Sequence, residues 1–317
     1  MPKPFPVKLA KLNSYYKTKW GQAYLGDSID LLKLLPDKSV SLVMTSPPFA
    51  LRRKKNYGNP DADKYVEWFQ PFAKEVYRVL KDNGSFVIEI GGAWNKRHPT
   101  RSIYHYELLI DLVKNVKFHL AQEFFWFNPA KMPGPAEWVT IQRVRCTDAV
   151  STVWWLSKTE KPNADNKRVL QPYTESMKQL LKNGYNKGKR PSGHVVSDKW
   201  QQDLGGAIPK NLLSISNTSS SDKYQRSCRD NNIPLHPARF PHGLPKFFIE
   251  FLTEEKDLVV DIFSGSNVTG EVAESLKRYW LSFEQRNDFL EASKFRFDLP
   301  VNVEIASAEP IKAVKGG

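Results

Sequence analysis

Val40-Ser41-Leu42-Val43-Met44-Thr45-Ser46-Pro47-Pro48-Phe49-Ala50 is an apolar run that stops at two prolines. Val40, Leu42, Val43 and Met44 favour a short buried strand. Pro47 and Pro48 cannot donate ladder hydrogen bonds and hold the following backbone rigid. Ser46 therefore stands at the C-terminal end of a strand, its hydroxyl and the Pro47 carbonyl fixed in space. In open α/β sheets, ligands bind at that edge.

Far downstream, Asp257 to Phe263 predicts a second buried strand, and Thr269 to Lys277 a helix, joined through Ser264-Gly265-Ser266-Asn267-Val268-Thr269-Gly270. Two phosphate-binding readings of this turn fail. A P-loop shares the Gly-x4-Gly spacing but continues with Lys-Ser/Thr, whereas Glu271 follows here and would repel phosphate. A dinucleotide fingerprint needs glycine where Asn267 stands.

With these two stretches in this order, the chain resembles the amino-methyltransferases that act on DNA bases. Ser46-Pro47-Pro48-Phe49 is similar to the motif of the cytosine-N4 branch. Asp261 to Gly270 looks like the family's S-adenosylmethionine loop, placed after the Pro-Pro motif as in the permuted β class. The similarity runs from about Trp20 to Phe297 and is of the PvuII type. It implies an α/β, Rossmann-like S-adenosylmethionine-dependent methyltransferase fold, circularly permuted, with an inserted target-recognition lobe. The expected organisation is a catalytic half over 1–157, the lobe over 158–235, a cofactor-binding half over 236–298 and a flexible tail over 299–317.

Between the motifs, Asp27 ends a short strand and reads either as a helix N-cap or, by the resemblance, as the carboxylate beside the cofactor's adenosyl group. Arg52-Arg53-Lys54-Lys55 follow the proline corner directly. Such a run is a solvated loop or a phosphate contact, and its place beside the corner favours phosphate, an interaction that weakens with salt. Tyr65, Phe69, Phe72, Val76 and Leu80 recur at helical spacing and predict an amphipathic core helix over Asp63–Leu80. Lys81 to Gly84 predicts a turn, and Ser85 to Ile90 the next buried strand. Glu89 is out of character there: a buried carboxylate must be hydrogen-bonded or protonated. It satisfies neighbouring amides or, on a strand parallel to the first, reaches Ser46; the family has the shorter Asp at the matching place. The proline-rich stretch Asn128 to Pro135 must be a loop, and the resemblance puts it near the flipped base.

From Lys158 to Asp230 there are 14 Lys and Arg against 7 Asp and Glu, so more than half of the chain's net +13 falls in under a quarter of its length. The segment is a floppy basic insertion or a lobe whose side chains, Lys189, Arg190 and His194 among them, meet DNA. His236-Pro237-Ala238-Arg239-Phe240-Pro241 matches the family's segment leading into the cofactor pocket, which gives His236 a supporting role. The same resemblance assigns Asp261, Phe263, Ser264, Gly265, Ser266, Asn267, Thr269 and Gly270 to the cofactor. Amides of the small residues would approach its carboxylate and Asp261 its ammonium, while Glu284, ending the strand Trp280 to Glu284, would accept from the ribose hydroxyls.

The amine of cytosine is a poor nucleophile because its lone pair is delocalised into the ring. Two acceptors, Ser46 Oγ and the Pro47 carbonyl, would localise that pair, with Phe49 stacked on the extruded base and Pro48 holding the corner. Attack is direct, and Glu89 or water takes the proton. The alternatives are adenine-N6 methylation on the same scaffold, usually marked by Asp or Asn in place of Ser46, and a non-catalytic DNA-binding protein of this fold.

Composition agrees without deciding. A pI near 9.5 favours a polyanionic partner, here double-stranded DNA. Cys146 and Cys228 alone are too few for a disulfide scaffold or a four-cysteine zinc site, and neither follows a proline as the nucleophile of cytosine-C5 methyltransferases does. No metal is expected. No run approaches the roughly 18 apolar residues of a membrane span, and Met1 to Lys19 lacks a signal core, so a cytoplasmic monomer is expected, encoded with a cognate restriction endonuclease.

Overall fold

The computed structural model describes residues 6, 7, 9, 12–50, 60–184, 188, 189, 191, 193, 195, 196, 202–217 and 222–307. The chain forms two compact units, Met1–Asn163 with Asn211–Gly317, and Ala164–Lys210. The first contains β1 (Tyr16–Lys17), β2 (Gly21–Leu25), α1 (Ser28–Lys33), β3 (Val40–Thr45), α2 (Tyr65–Val79), β4 (Leu80–Ile90), α3 (Tyr104–Lys114), β5 (His119–Phe127) and β6 (Val150–Ser157). The second unit contributes α4 (Glu175–Asn183), β7 (Gly188–Lys189) and β8 (Val195–Val196). The first then resumes with β9 (Leu212–Ser214), α5 (Lys223–Asp230), α6 (Gly243–Leu252), β10 (Leu258–Asp261), α7 (Val268–Ser275), β11 (Tyr279–Glu284), α8 (Asn287–Ser293) and α9 (Val303–Ala306).

Nine strands form one sheet in the order β1-β2-β11-β10-β3-β4-β6-β5-β9. Its centre, from β2 to β4, is parallel, and β6 and β5 continue it antiparallel. The late strand β10 lies beside the early strand β3, with Val260 level with Val43. From β10 the chain runs through α7 to β11 on one side; from β3 it runs through α2 to β4 on the other. The strand order thus reverses between β10 and β3, the switch point at which open α/β sheets bind ligands.

Strands in the middle of such a sheet are covered on both faces, which is why they read as apolar runs. Val43, Phe86, Ile88, Val260 and Leu281 pack in one buried cluster with Leu32 of α1, Phe69, Phe72 and Val76 of α2, and Leu108 and Leu112 of α3. Residues of alternate parity face the other way: Trp155 of β6 meets Phe251 of α6 edge to face at 5.1 Å.

Two expectations need correction. Lys81 to Gly84 is not a turn ahead of the strand but lies within β4, where the pairing with β3 jumps from Val40 and Leu80 to Leu42 and Ser85. The excess residues are absorbed as an irregularity within the ladder. The tail from 299 is not featureless either: α9 forms at 303–306, and Ala306 is buried in a small cluster with Tyr224, Cys228, Ile233 and Ala292. Its apolar content is too short to register as a periodic pattern.

The unit Ala164–Lys210 falls within the expected lobe of 158–235, whose remaining elements β9 and α5 belong to the first unit. Thr174 caps α4 by accepting from the Met177 amide at 3.3 Å, and none of that helix's residues is buried. β7 and β8 pair antiparallel. Among the described residues, no helix is long and apolar enough to cross a membrane, and no group of three His, Cys, Asp or Glu side chains could hold a metal ion.

Candidate active site

Parallel pairing of Thr45 with Ile88 brings the next residues, Ser46 and Glu89, level at the sheet's edge. Ser46 Oγ donates to Glu89 Oε2 at 2.7 Å. Burial pushes the Glu89 carboxyl up to about 7, while hydrogen bonds from Ser46 and Ser151 and the Lys131 charge pull the other way. With its hydrogen engaged by Glu89, the Ser46 oxygen keeps its lone pairs for an incoming N–H donor. The corner itself is pinned, because the Pro48 carbonyl accepts from Tyr65 Oη at 2.9 Å. The Phe49 ring lies so close to Gly91 that any Cβ there would stand 2.7 Å from it.

The glycine turn is fastened to the same corner. Thr45, one residue before Ser46, donates to Asp261 Oδ1 at 2.7 Å; Thr269 donates to Oδ2 at 2.7 Å, and the Phe263 amide to Oδ1 at 3.1 Å. Asp261 is buried, which raises its pKa against these three bonds. Both of its oxygens are thus engaged by protein, which ties the two corners together, and Asp261 also lines the cavity that joins them.

Gly265 has φ +49°, and a Cβ at this position would meet His236 Nε2 at 2.8 Å, so only glycine fits without strain. Its amide donates to Glu284 Oε2 at 2.8 Å and the Arg286 amide to Oε1 at 2.9 Å. The Ser264 amide donates to the Phe283 carbonyl at 3.1 Å. The expectation that the Ser264 and Gly265 amides point at a ligand carboxylate is therefore corrected: the turn's own geometry engages them. Glu284 is buried and pushed up to about 7, the backbone donors of Arg286, Gly265 and Gln285 offsetting part of the burial.

Asn267 also departs from expectation. It takes the left-handed conformation at the N-cap of α7, accepts from the Gly270 amide at 3.1 Å and donates to Tyr16 Oη at 2.8 Å. Short polar side chains tolerate that conformation and cap helices well. Asn267 and Gly270 shape the turn from behind and are not among the residues lining the cavity.

One cavity of about 1300 Å³ joins the two corners. Ser46, Pro47, Pro48, Phe49 and Glu89 line it on one side; Asp27, His236, Asp261, Phe263, Ser264, Gly265, Ser266, Thr269 and Glu284 line the other. Asp27 is the helix N-cap of one of its two readings and also faces the cavity. It caps α1, accepting from the Ile29 amide at 2.8 Å, and it lines the cavity while accepting from Gln285 Nε2 at 2.7 Å. Asn128 and Lys131 of the proline-rich loop also reach the wall. Phe72, expected in the core stripe, and Trp68, which carried no sequence signal, line the cavity around Phe263, whose ring centroid is 5.8 Å from that of Trp68 and 5.0 Å from that of Phe72. Ser151, which bonds Glu89, had no sequence signal. Arg52, Arg53, Lys54, Lys55, Arg190 and His194 lie outside the described residues, and of Lys189 only the backbone, in β7, is described.

The wall suits a ligand with a flat apolar ring and polar ends. Phe263 and Trp68 supply the apolar part and Glu284 a carboxylate at a strand end. The Ser264 hydroxyl is buried without a partner among the described residues, a group that a bound polar atom would satisfy. These residues fit S-adenosyl-L-methionine, which carries adenine, ribose and an amino acid end and no phosphate.

Known proteins agree with this architecture. The DNA methylase family model matches residues 40–295. The Type II methyltransferase M.PvuII of Proteus hauseri is 53% identical over 285 residues, which is 89% of this chain and 85% of that protein. M.BglII of Bacillus subtilis is 23% identical over 94% of this chain and 72% of its own length. Among solved structures, the PvuII DNA methyltransferase (cytosine-N4-specific) superposes with a TM-score of 0.75 at 47% identity, covering 92% of each chain. The M1.HpyAVI-SAM complex shares the fold, with a TM-score of 0.54 at 20% identity over 88% of this chain and all of the other. Family match, close relative and shared cavity converge: the chain belongs to the N6/N4 DNA methylase family.

Proposed function

We propose that the protein is a site-specific DNA methyltransferase that transfers a methyl group from S-adenosyl-L-methionine to the N4 amine of a cytosine flipped out of duplex DNA. The observation that carries this reading is the Ser46–Glu89 pair opening onto the same cavity as the glycine turn. When bound, the cofactor supplies an electrophilic methyl group on a sulfonium. The residues of the chain do the rest.

Phe263 and Trp68 hold the adenine ring, Glu284 and Asp27 lie at the ribose side, and Ser264 meets the amino acid end. His236 backs the turn, its ring closing over Gly265. On the facing wall, Phe49 stacks on the extruded base. The Ser46 oxygen and the Pro47 carbonyl accept the two N–H bonds of the amine and so turn its lone pair out of conjugation. Positioning of this kind carries most of the rate in direct displacements. As the amine becomes cationic, its proton passes to Ser46 Oγ while the Ser46 hydrogen moves to Glu89, which burial has brought to the basicity this needs at neutral pH.

Serine in place of a carboxylate or amide at position 46 supports cytosine as the target. The basic segment 158–235 reads the surrounding bases, the enzyme works as a monomer on one strand at a time, and a cognate endonuclease cuts the unmodified site. The test is transfer of labelled methyl groups to duplex DNA. Incorporation that saturates, and that is absent on DNA already treated with the enzyme, supports a site-specific transferase; no incorporation refutes it.

A further inference from the structure

Methionine 132 is 81% exposed at the tip of the proline-rich loop beside the cavity. Burying such a side chain stabilises a fold, so leaving it in water forgoes stability. Its place is specific. Asn128 and Lys131, four residues and one residue before it, both line the cavity, and Pro133 follows it.

The segment on either side is held firmly. The Asn128 amide donates to the Ala149 carbonyl at 3.1 Å, and Asn128 Oδ1 accepts from the amides of Ala130 at 3.1 Å and Asn217 at 3.3 Å. Beyond Pro135 the chain makes a π-turn over Glu137–Ile141, a form that concentrates at functional sites. Arg145 then stacks over the Trp94 ring at 4.1 Å, and Arg101 pairs with Asp148 at 3.0 Å. An exposed apolar side chain thus directly follows a residue of the cavity wall, between two anchored stretches of chain. Lys131, which lines the cavity, precedes it, and Lys96, Arg97 and Arg143 are exposed on the two segments that Arg145 joins. An exposed apolar side chain next to a cationic residue of the wall fits a duplex, whose stacked bases lie between two rows of phosphates.

We propose that Met132 enters the base stack as the target cytosine leaves it and fills the space vacated in the duplex. Methionine is among the apolar side chains that wedge between base steps, and it adapts to an irregular gap. This inference rests on the function proposed above. Met132 is then a positioning residue: it touches neither the cofactor nor the reacting amine, and it acts by holding the duplex open.

The test uses the full chain and two duplexes carrying the site that the wild-type enzyme methylates. One is fully paired; in the other the base opposite the target cytosine is removed, so that extrusion costs little. Met132→Ala is expected to slow single-turnover methylation of the paired duplex by roughly tenfold or more and that of the gapped duplex by less than about twofold, since extrusion costs a few kcal/mol only when the base is paired. Met132→Leu is expected to restore the paired-duplex rate. Equal losses on both duplexes, or none on the paired one, overturn the wedge while leaving the enzyme assignment standing. Failure of the wild-type protein to methylate duplex DNA at any site, so that no such substrate exists, overturns the assignment itself.

Discussion

The Ser46 hydroxyl donates to the Glu89 carboxylate across 2.7 Å, from residues brought level by the parallel register of Thr45 with Ile88. Removing the hydroxyl takes away an acceptor for the amine and the first carrier of its proton, but no wall of the cavity. Ser46→Ala is therefore expected to lower kcat by roughly a hundredfold or more, the range for a positioned proton-transfer group. Affinities for DNA and cofactor should change by less than about threefold. Single-turnover kinetics with separate binding titrations check this, and an unchanged kcat removes Ser46 from the chemistry.

The second prediction concerns pH and has opposite signs for activity and stability. Glu89 has an ordinary carboxyl value of 4.5, raised in the fold to about 7. A carboxyl whose pKa is raised by folding stabilises the protein below pH 4.5 and loses that contribution as pH climbs through 7. Glu89→Gln keeps the shape and removes the buried charge. It is expected to match the wild type in stability at acid pH and to exceed it above neutrality by about 1–3 kcal/mol. Its activity should fall and lose the rising limb near pH 7 that the ionised acceptor supplies. Urea melts at pH 5 and 8, beside a pH–rate profile, measure both.

Glu284 holds the glycine turn through the Gly265 and Arg286 amides. Glu284→Ala frees these donors, and that of Gln285, and removes the carboxylate proposed for the ribose. Cofactor affinity is expected to fall by roughly tenfold to a hundredfold, with DNA affinity nearly unchanged. Calorimetric titration with S-adenosyl-L-methionine decides, and an affinity equal to the wild type's would separate Glu284 from the cofactor.

Arg296 supports the turn from the far side. Its side chain is buried, pairing with Glu271 Oε2 at 2.6 Å and donating to Ser266 Oγ at 3.3 Å. Burial opposes ionisation of Glu271, but His242 and Arg296 outweigh it and hold the carboxyl below its usual range. Arg296→Ala leaves that carboxylate with one partner fewer, and is expected to cost about 3–5 kcal/mol in denaturant melts, as for other broken buried pairs.

How much of this could be read beforehand depends on what kind of fact is asked for. Apolar runs, proline corners and the strand-breaking Gly91-Gly92 reveal where strands end, so Ser46, Glu89, Asp261 and Glu284 were legible as edge residues, and parallel neighbours placed Glu89 opposite Ser46. Which donor meets which acceptor is a matter of tenths of an ångström and leaves no pattern. Thus the amides of Ser264 and Gly265, expected to meet a ligand, are engaged within the turn, and the tie that Asp261 makes between the two turns has no sequence signal. Asn267 was read from its place in a motif, while its role follows from a left-handed backbone that only the fold reveals. Phe72 carries the same helical periodicity whether it faces core or cavity, and Trp68 lies outside the stripe.

The most direct measurement of the central claim is the identity of the methylated base. DNA treated with the enzyme and S-adenosyl-L-methionine is digested to nucleosides and analysed by mass and chromatography. N4-methylcytosine is expected from the wild type and almost none from Ser46→Ala. N6-methyladenine as the product would contradict the claim.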